Sequence, residues 1–312
     1  MNGKPTYTII APIYNEIDNI QVLYQRVSEV MDSTGEPWEF VMVDDGSSDG
    51  STQAILDLKA KDNKIVPVIF ARNFGHQIAV SAGLDYSKGE AVVIIDADLQ
   101  DPPEVILDLI AKWKEGYEVV YAVRAKREGE TWFKLFTAAA FYRLIQRITD
   151  VNLPMDTGDF RLLDHKVVKV MQGMREKHRF LRGMSVWVGF KQIGVEYDRA
   201  ERYAGETKYP LKKMFKLASD AITGFSYLPL KLATYLGFTT SGLGLLAALL
   251  VIILRLTGSE LLQGQAATLI AVLFLGGVQL ISLGLLGEYI GRLYDEARGR
   301  PLYIVREFPP EK

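Results

Sequence analysis

The sequence predicts an α/β fold: a doubly wound parallel sheet, then an amphipathic interfacial helix and a hairpin of two membrane-spanning helices. Three observations carry that expectation. The stretch Ala91–Gln100, AVVIIDADLQ, opens with five apolar residues, four of them β-branched and none polar, as in a strand buried on both faces of a parallel sheet. Ahead of it, short apolar runs alternate with segments of helical period. Far beyond it, Ala233–Leu254 and Ala266–Gly287 carry no charge, and each exceeds the roughly 20 residues that span a bilayer.

The elements follow in order. Tyr7–Pro12 is a first strand with Ile13-Tyr14-Asn15-Glu16 as its exit loop. Asp18 is expected to cap a helix through Met31, with Ile20, Leu23, Val27 and Val30 at helical spacing. Glu39–Val43 is a second strand that ends in Asp44-Asp45-Gly46-Ser47-Ser48-Asp49, and Ser48 or Asp49 caps a helix burying Ile55 and Leu58. Ile65–Phe70 is a third strand leading into Arg72-Asn73-Phe74-Gly75-His76, and a helix over Gln77–Tyr86 precedes the central strand. Every polar exit loop follows a strand, so all of them fall on the sheet edge where open α/β folds bind ligands.

On that edge, Asp96, Asp98 and Gln100 fall on one side by alternation, three oxygen donors suited to Mg²⁺ or Mn²⁺ with positions left for substrate phosphates. An acidic loop capping the next helix through Asp101 accounts for Asp101 but not for Asp96 and Asp98. Asp44 and Gly46 also read as turn residues.

Composition sets outer limits. The chain has 36 Lys and Arg against 38 Asp and Glu, a net charge of −2, which argues against general nucleic-acid binding. It has no cysteine, so disulfide and thiol chemistry are excluded. The opening MNGKPTYTII lacks the long apolar core expected of a signal peptide.

APIYNE, VDDGSSDGS, ARNFGHQIA and IIDADLQDPPE, in this order and spacing, resemble the family-2 glycosyltransferases. DADLQDPPE, with the later DTGDFRLL and RYAGETKYPLKK, is similar to the polyprenyl-phosphate branch, which includes dolichol-phosphate mannose synthases and bacterial undecaprenyl-phosphate glucosyltransferases. The likeness covers residues 7 to about 225 and implies a nucleotide-sugar-binding domain of GT-A type. It implies that Pro12, Tyr14 and Glu16 hold base and ribose, that Asp44 accepts from the base with Asp45 beside it structurally, and that Arg72 belongs to the donor site. It implies that Asp96 is the ribose- or sugar-side carboxylate and that Asp98 and Gln100 are the metal ligands.

Past the central strand, Pro103–Glu115 reads as helix and Glu118–Arg124 as strand, with Arg124 at its exit near the expected diphosphate and Lys126 and Arg127 following. Trp132–Ile148 is apolar on one face, as core or as a bilayer-surface helix. In Asp156–Leu163 the resemblance implies that Asp159 is the general base, with Asp156 the lesser candidate. A phosphomonoester acceptor has a second pKa of about 6 and is mostly ionised at neutral pH, so Asp159 can equally orient the donor sugar or position basic groups. Arg161 is read as neutralising charge there or as a structural partner of Asp159.

Arg175–Arg182 is a basic run, and Val186–Val195 reads as strand. Arg202–Lys208 resembles the family's mobile loop, in which Arg202 and Lys208 meet the donor diphosphate and acceptor phosphate; Thr207 stands where serine is more usual. Leu211–Tyr227 sets Lys212, Lys213 and Lys216 against an apolar face, suited to a membrane interface. Lysines before the first span and arginines after the second outnumber Arg255 in the link, which places both termini in the cytoplasm.

The organisation expected is a glycosyltransferase domain over 1–210, an amphipathic helix over 211–231, two spans within 232–290 and a tail over 291–312. The expected partners are a nucleotide sugar (a UDP-sugar first), a polyprenyl phosphate and the bilayer, with homo-oligomerisation left open. The expected reaction moves one sugar, with glucose from UDP-glucose ahead of mannose from GDP-mannose. A processive synthase would carry more spans and a QxxRW-type motif, absent here. Two nearly apolar spans are poor material for a flippase pathway, and a non-catalytic scaffold would not keep Asp96, Asp98, Gln100 and Asp159.

Overall fold

The computed structural model describes residues 4–125, 157–199, 226, 228–257 and 265–306. Lys126, Arg127, Trp132–Ile148, Asp156, Arg202, Lys208 and all but the end of the expected amphipathic helix lie outside them.

A seven-stranded sheet forms the first unit, in the order β3-β2-β1-β4-β6-β5-β7. Its strands are β1 (Tyr7–Ile13), β2 (Trp38–Asp44), β3 (Ile65–Ile69), β4 (Ala91–Ile94), β5 (Val119–Arg124), β6 (Thr157–Asp164) and β7 (Gln192–Tyr197). Every residue of β1, β2 and β4 is buried, as their unbroken apolar runs require of strands covered on both faces. Helices α1 (Ile17–Ser33), α2 (Ser51–Lys61), α3 (His76–Tyr86), α4 (Ile106–Lys114), α5 (His165–Gly173) and α6 (Leu181–Trp187) surround it.

The sheet is mixed rather than wholly parallel. β1 to β4 pair in parallel, but β6 enters between β4 and β5 and runs antiparallel to both. Local periodicity records which face of a strand is buried, not its direction, so DTGDFRLL gave no warning. The consequence is functional: Arg161 pairs with Ile94, so Asp159, two residues earlier, falls just beyond the carboxyl end of β4.

Other local expectations are corrected. Val186–Val195 is not one strand: Leu181–Trp187 is helical, Gly189 turns the chain at φ +74, and β7 begins at Gln192. A short apolar run reads alike as helix or strand until its neighbours decide. Asp18 lies in the first turn of α1 instead of capping it; the first N–H, of Ile17, donates to Asp49 Oδ2 at 3.1 Å. Asp101 caps no helix; its carboxylate accepts from the Tyr197 hydroxyl and lies 3.5 Å from Arg199 Nε.

The chain divides into two compact units, the second covering 222–299 and the first taking up the chain again from Arg300. The second unit consists of α7 (Leu228–Leu256) packed on α8 (Gln265–Ala297). Both helices outrun the expected spans, and Leu228–Leu254 and Ala271–Ala297 are long and apolar enough to cross a membrane. Their apolar side chains, Phe238, Leu245 and Leu280 among them, are exposed. The segment expected as a tail is tied back into the first unit, where Val305 bridges Phe70.

Candidate active site

The carboxyl ends of β1 to β4, together with the start of β6, gather the candidate residues at one edge. Pro12 is buried inside β1, whereas Tyr14, just past its end, is 42% exposed. Asn15, at φ +54, closes the β1 exit onto the β2 exit: its N–H donates to Ser47 Oγ at 2.9 Å, and its Oδ1 accepts from the Ser48 N–H at 2.8 Å. Glu16 joins them, its N–H donating to Ser51 Oγ at 3.1 Å and its carboxylate accepting from Asn19 at 2.6 Å.

Asp44 is fully buried, and its carboxylate accepts from the Ser47 N–H at 2.9 Å and from the Thr52 hydroxyl, so it shapes the turn that opens α2. Asp45 instead links two loops, accepting from the Phe74 N–H at 2.6 Å and the Gly75 N–H at 2.9 Å. Burial raises the Asp45 pKa against the pull of those two amides. Gly46, at φ +73, allows the loops to close, because a Cβ there would stand 2.5 Å from the Arg72 carbonyl carbon. Arg72 is exposed and lies over the Phe74 ring at 3.9 Å.

The centre of the edge is an ion cluster. His76 Nε2 is 3.1 Å from Asp159 Oδ2 and 3.6 Å from Asp96 Oδ1. Asp159 also accepts from Gln77 Nε2 at 3.0 Å and from Arg182 Nε at 2.8 Å. Burial works to lower the His76 pKa, but the hydrogen bond to Asp159 and the charges of Asp96 and Asp159 outweigh it and raise the pKa to about 9. Burial would raise Asp159, yet the Arg182 charge and the His76 bond hold its carboxyl well below the usual range. Asp96 is pushed up to about 6 by burial, against the charge of His76 and aided by neighbouring carboxylates. Its Oδ1 is buried without a hydrogen-bond partner.

Two cationic neighbours therefore keep Asp159 ionised and occupied. Arg161 is not one of them: buried, it donates to the Gly158 carbonyl at 2.8 Å, the Asp159 carbonyl at 3.3 Å and the Ser185 hydroxyl. The Arg161–Asp159 side-chain pair is replaced by Arg182–Asp159. Sequence reasoning assigned no role to His76, Gln77 or Arg182. The signal available was position: His76 opens α3 directly after a strand-exit loop.

Asp96, Asp98 and Gln100 are each half-exposed while Ala97, Leu99 and Asp101 are buried, so the outward alternation holds although β4 ends at Ile94 and Leu99 turns at φ +59. The Gln100 N–H donates to Asp98 Oδ1 at 3.1 Å. Among the described residues no three His, Cys, Asp or Glu side chains stand together as a metal cage. A Mg²⁺ or Mn²⁺ that takes one or two carboxylates and completes its shell with water and substrate phosphate needs none, so these oxygen donors fit such an ion. Arg124, at the β5 exit, faces Tyr197 and Asp101, which burial raises in pKa.

Residues 8–171 match the family model for glycosyl transferase family 2. The chain belongs to that family. Residues 228–293 match a second model, the GtrB C-terminal hairpin. Among relatives of the glycosyltransferase, an uncharacterized glycosyltransferase YkcC of Bacillus subtilis is 55% identical over 98% of this chain and 95% of its own. An uncharacterized glycosyltransferase of Synechocystis, sll0501, is 47% identical over 96% and 94%. A prophage bactoprenol glucosyl transferase homolog of Escherichia coli is 40% identical over 96% and 98%.

Proposed function

We propose that this glycosyltransferase moves a single sugar from a nucleotide sugar to a polyprenyl phosphate at the cytoplasmic membrane face, with UDP-glucose as donor. The observation that carries the reading is the union, in one chain, of a family-2 carboxylate edge with two helices of membrane length. Relatives named bactoprenol glucosyl transferase, similar over nearly the whole chain, support it.

In the reaction, an oxygen of the lipid phosphate attacks the anomeric carbon, the bond from that carbon to the diphosphate oxygen breaks, and the nucleoside diphosphate leaves with the bonding pair. Tyr14, Glu16 and Arg72 would border the nucleotide; Asp44 and Asp45, which accept from backbone amides of the β2 and β3 exit loops, support this reading by holding those loops. Asp98 and Gln100 would hold Mg²⁺ or Mn²⁺. Such an ion supplies positive charge against the departing diphosphate.

Asp159 acts by position rather than as a base. It is already paired with Arg182 and His76, and an acceptor phosphate with a second pKa of about 6 brings its own ionised nucleophile. Its work is to hold His76 beside Asp96, whose Oδ1 makes no hydrogen bond of its own and whose carboxylate can accept from a sugar or ribose hydroxyl. Arg202 and Lys208 offset repulsion between the donor diphosphate and acceptor phosphate.

The test is a panel of radiolabelled nucleotide sugars against undecaprenyl and dolichyl phosphate. Lipid-linked monosaccharide from UDP-glucose is expected. Transfer from GDP-mannose alone would overturn the donor, products longer than one sugar would point to a processive synthase, and no turnover with any pair would overturn the reading.

A further inference from the structure

The loop that leaves β3, Arg72–Gly75, provides the two amides on Asp45 and leads directly into His76. It leaves from β3, which among the described residues is an outer strand of the sheet with one free edge to be covered. A segment more than two hundred residues later covers that edge. The Ala71 N–H donates to the Ile304 carbonyl and the Arg306 N–H to the Ile69 carbonyl, both at 2.9 Å, with Val305 opposite Phe70 in an antiparallel bridge.

Side chains extend the grip. The Tyr303 ring stacks on Phe70 with centroids 5.1 Å apart, and its hydroxyl donates to Asp85 Oδ2 at 2.8 Å. Asp85 belongs to the last turn of α3, the helix that follows the loop, and Arg175 holds the same oxygen at 2.7 Å. One short segment therefore clasps the strand before the loop and the helix after it. Phe70 then meets Phe74 edge-on at 5.5 Å, and Phe74 is one of the residues whose amide binds Asp45.

We infer that Tyr303–Arg306 is a positioning strap for the donor site: it fixes the 71–76 loop in the form that aims the Phe74 and Gly75 amides at Asp45 and sets His76 between Asp96 and Asp159. What the loop binds rests on the donor reading above; the strap itself does not. The strap follows α8, which ends at Ala297, by a few residues, so the loop is joined through the main chain to the second helix of membrane length. Tyr303 acts through Phe70, on which its ring stacks, and through Asp85, to which its hydroxyl donates.

The experiment uses the full chain in detergent, with variants Tyr303→Ala, Arg306→Pro and Tyr303→Phe. Hydrogen exchange is read without nucleotide, and UDP affinity by calorimetry. Tyr303→Ala removes the stack and Arg306→Pro removes one bridging N–H. Both should speed exchange at Ala71, Phe74 and Gly75 by about tenfold or more and weaken UDP by about three- to tenfold, with KM for the donor rising more than kcat falls. Tyr303→Phe keeps the stack and should restore most of both.

Unchanged exchange at Phe74 and Gly75 while Ala71 loses protection would overturn the strap. So would loss of protection spreading equally to β1 and β4, which would make the segment a general support of the fold. Unchanged UDP affinity beside faster exchange would overturn its role at the donor site. If the parent chain binds no UDP, the donor reading fails, and exchange still decides whether the strap sets the loop.

Discussion

Replacing His76 by Gln removes a cation that lies between two carboxylates, 3.1 Å from Asp159 and 3.6 Å from Asp96. The pKa of His76 rises from 6.5 to about 9. At 1.36 kcal/mol per unit that shift would correspond to about 3 kcal/mol, but the side chain is 35% exposed and solvent screening reduces the figure to about 1–2 kcal/mol. Because the folded pKa is raised, this stabilisation is fully present below the unfolded value of 6.5 and is lost as pH rises through about 9. Asp96, raised to about 6 by burial, still titrates at the acid end of this window, and its protonation weakens its attraction for His76, so the comparison is read upward from pH 6.5. The gap in thermal midpoint between the parent chain and His76→Gln should be about 2–6 °C at pH 6.5 and should close by pH 10. Proton NMR of the three imidazoles supplies the independent check. A His76 resonance that titrates near 6.5, or a midpoint gap equal at both pH values, would refute the ion cluster as drawn.

Asp159→Asn should impair transfer by about tenfold or more without removing an ionisation from the acid limb of the pH–rate profile, because Asp159 is held well below the usual carboxylate range; a lost ionisation near neutral pH would restore it as the base. Asp98→Asn should abolish most turnover and weaken donor binding while thermal stability stays within about 0.5 kcal/mol, and undiminished activity of the parent chain in excess chelator would contradict a metal there. Arg202→Ala and Lys208→Ala should reduce lipid-dependent transfer far more than nucleotide affinity measured by calorimetry; equal losses in both would leave them as nucleotide ligands. With no native cysteine, single cysteines at positions 2 and 259 report topology in intact cells: labelling from outside is expected at 259 and not at 2, and the reverse pattern would invert the assignment.

The sequence by itself determined the buried strands, the edge on which their loops gather and the two helices of membrane length. Each is a local property: the apolar run Ala91–Ile95 is all buried, the polar loops follow strands, and the uncharged stretches exceed a bilayer's thickness. Asp96, Asp98 and Gln100 were legible for the same reason, since alternation of exposure survives where the strand ends. What tertiary structure decided is which distant groups meet. Asp159 reaches His76 because β6 runs against β4, and Arg182 reaches Asp159 because Leu181–Trp187 is a helix and not a strand. Phe70 meets Tyr303 because β3 is an outer strand with pairing groups to offer. Periodicity encodes burial within about a dozen residues, whereas strand order, strand direction and the partner of a buried charge are settled by contacts between segments far apart in the chain, which no local pattern records.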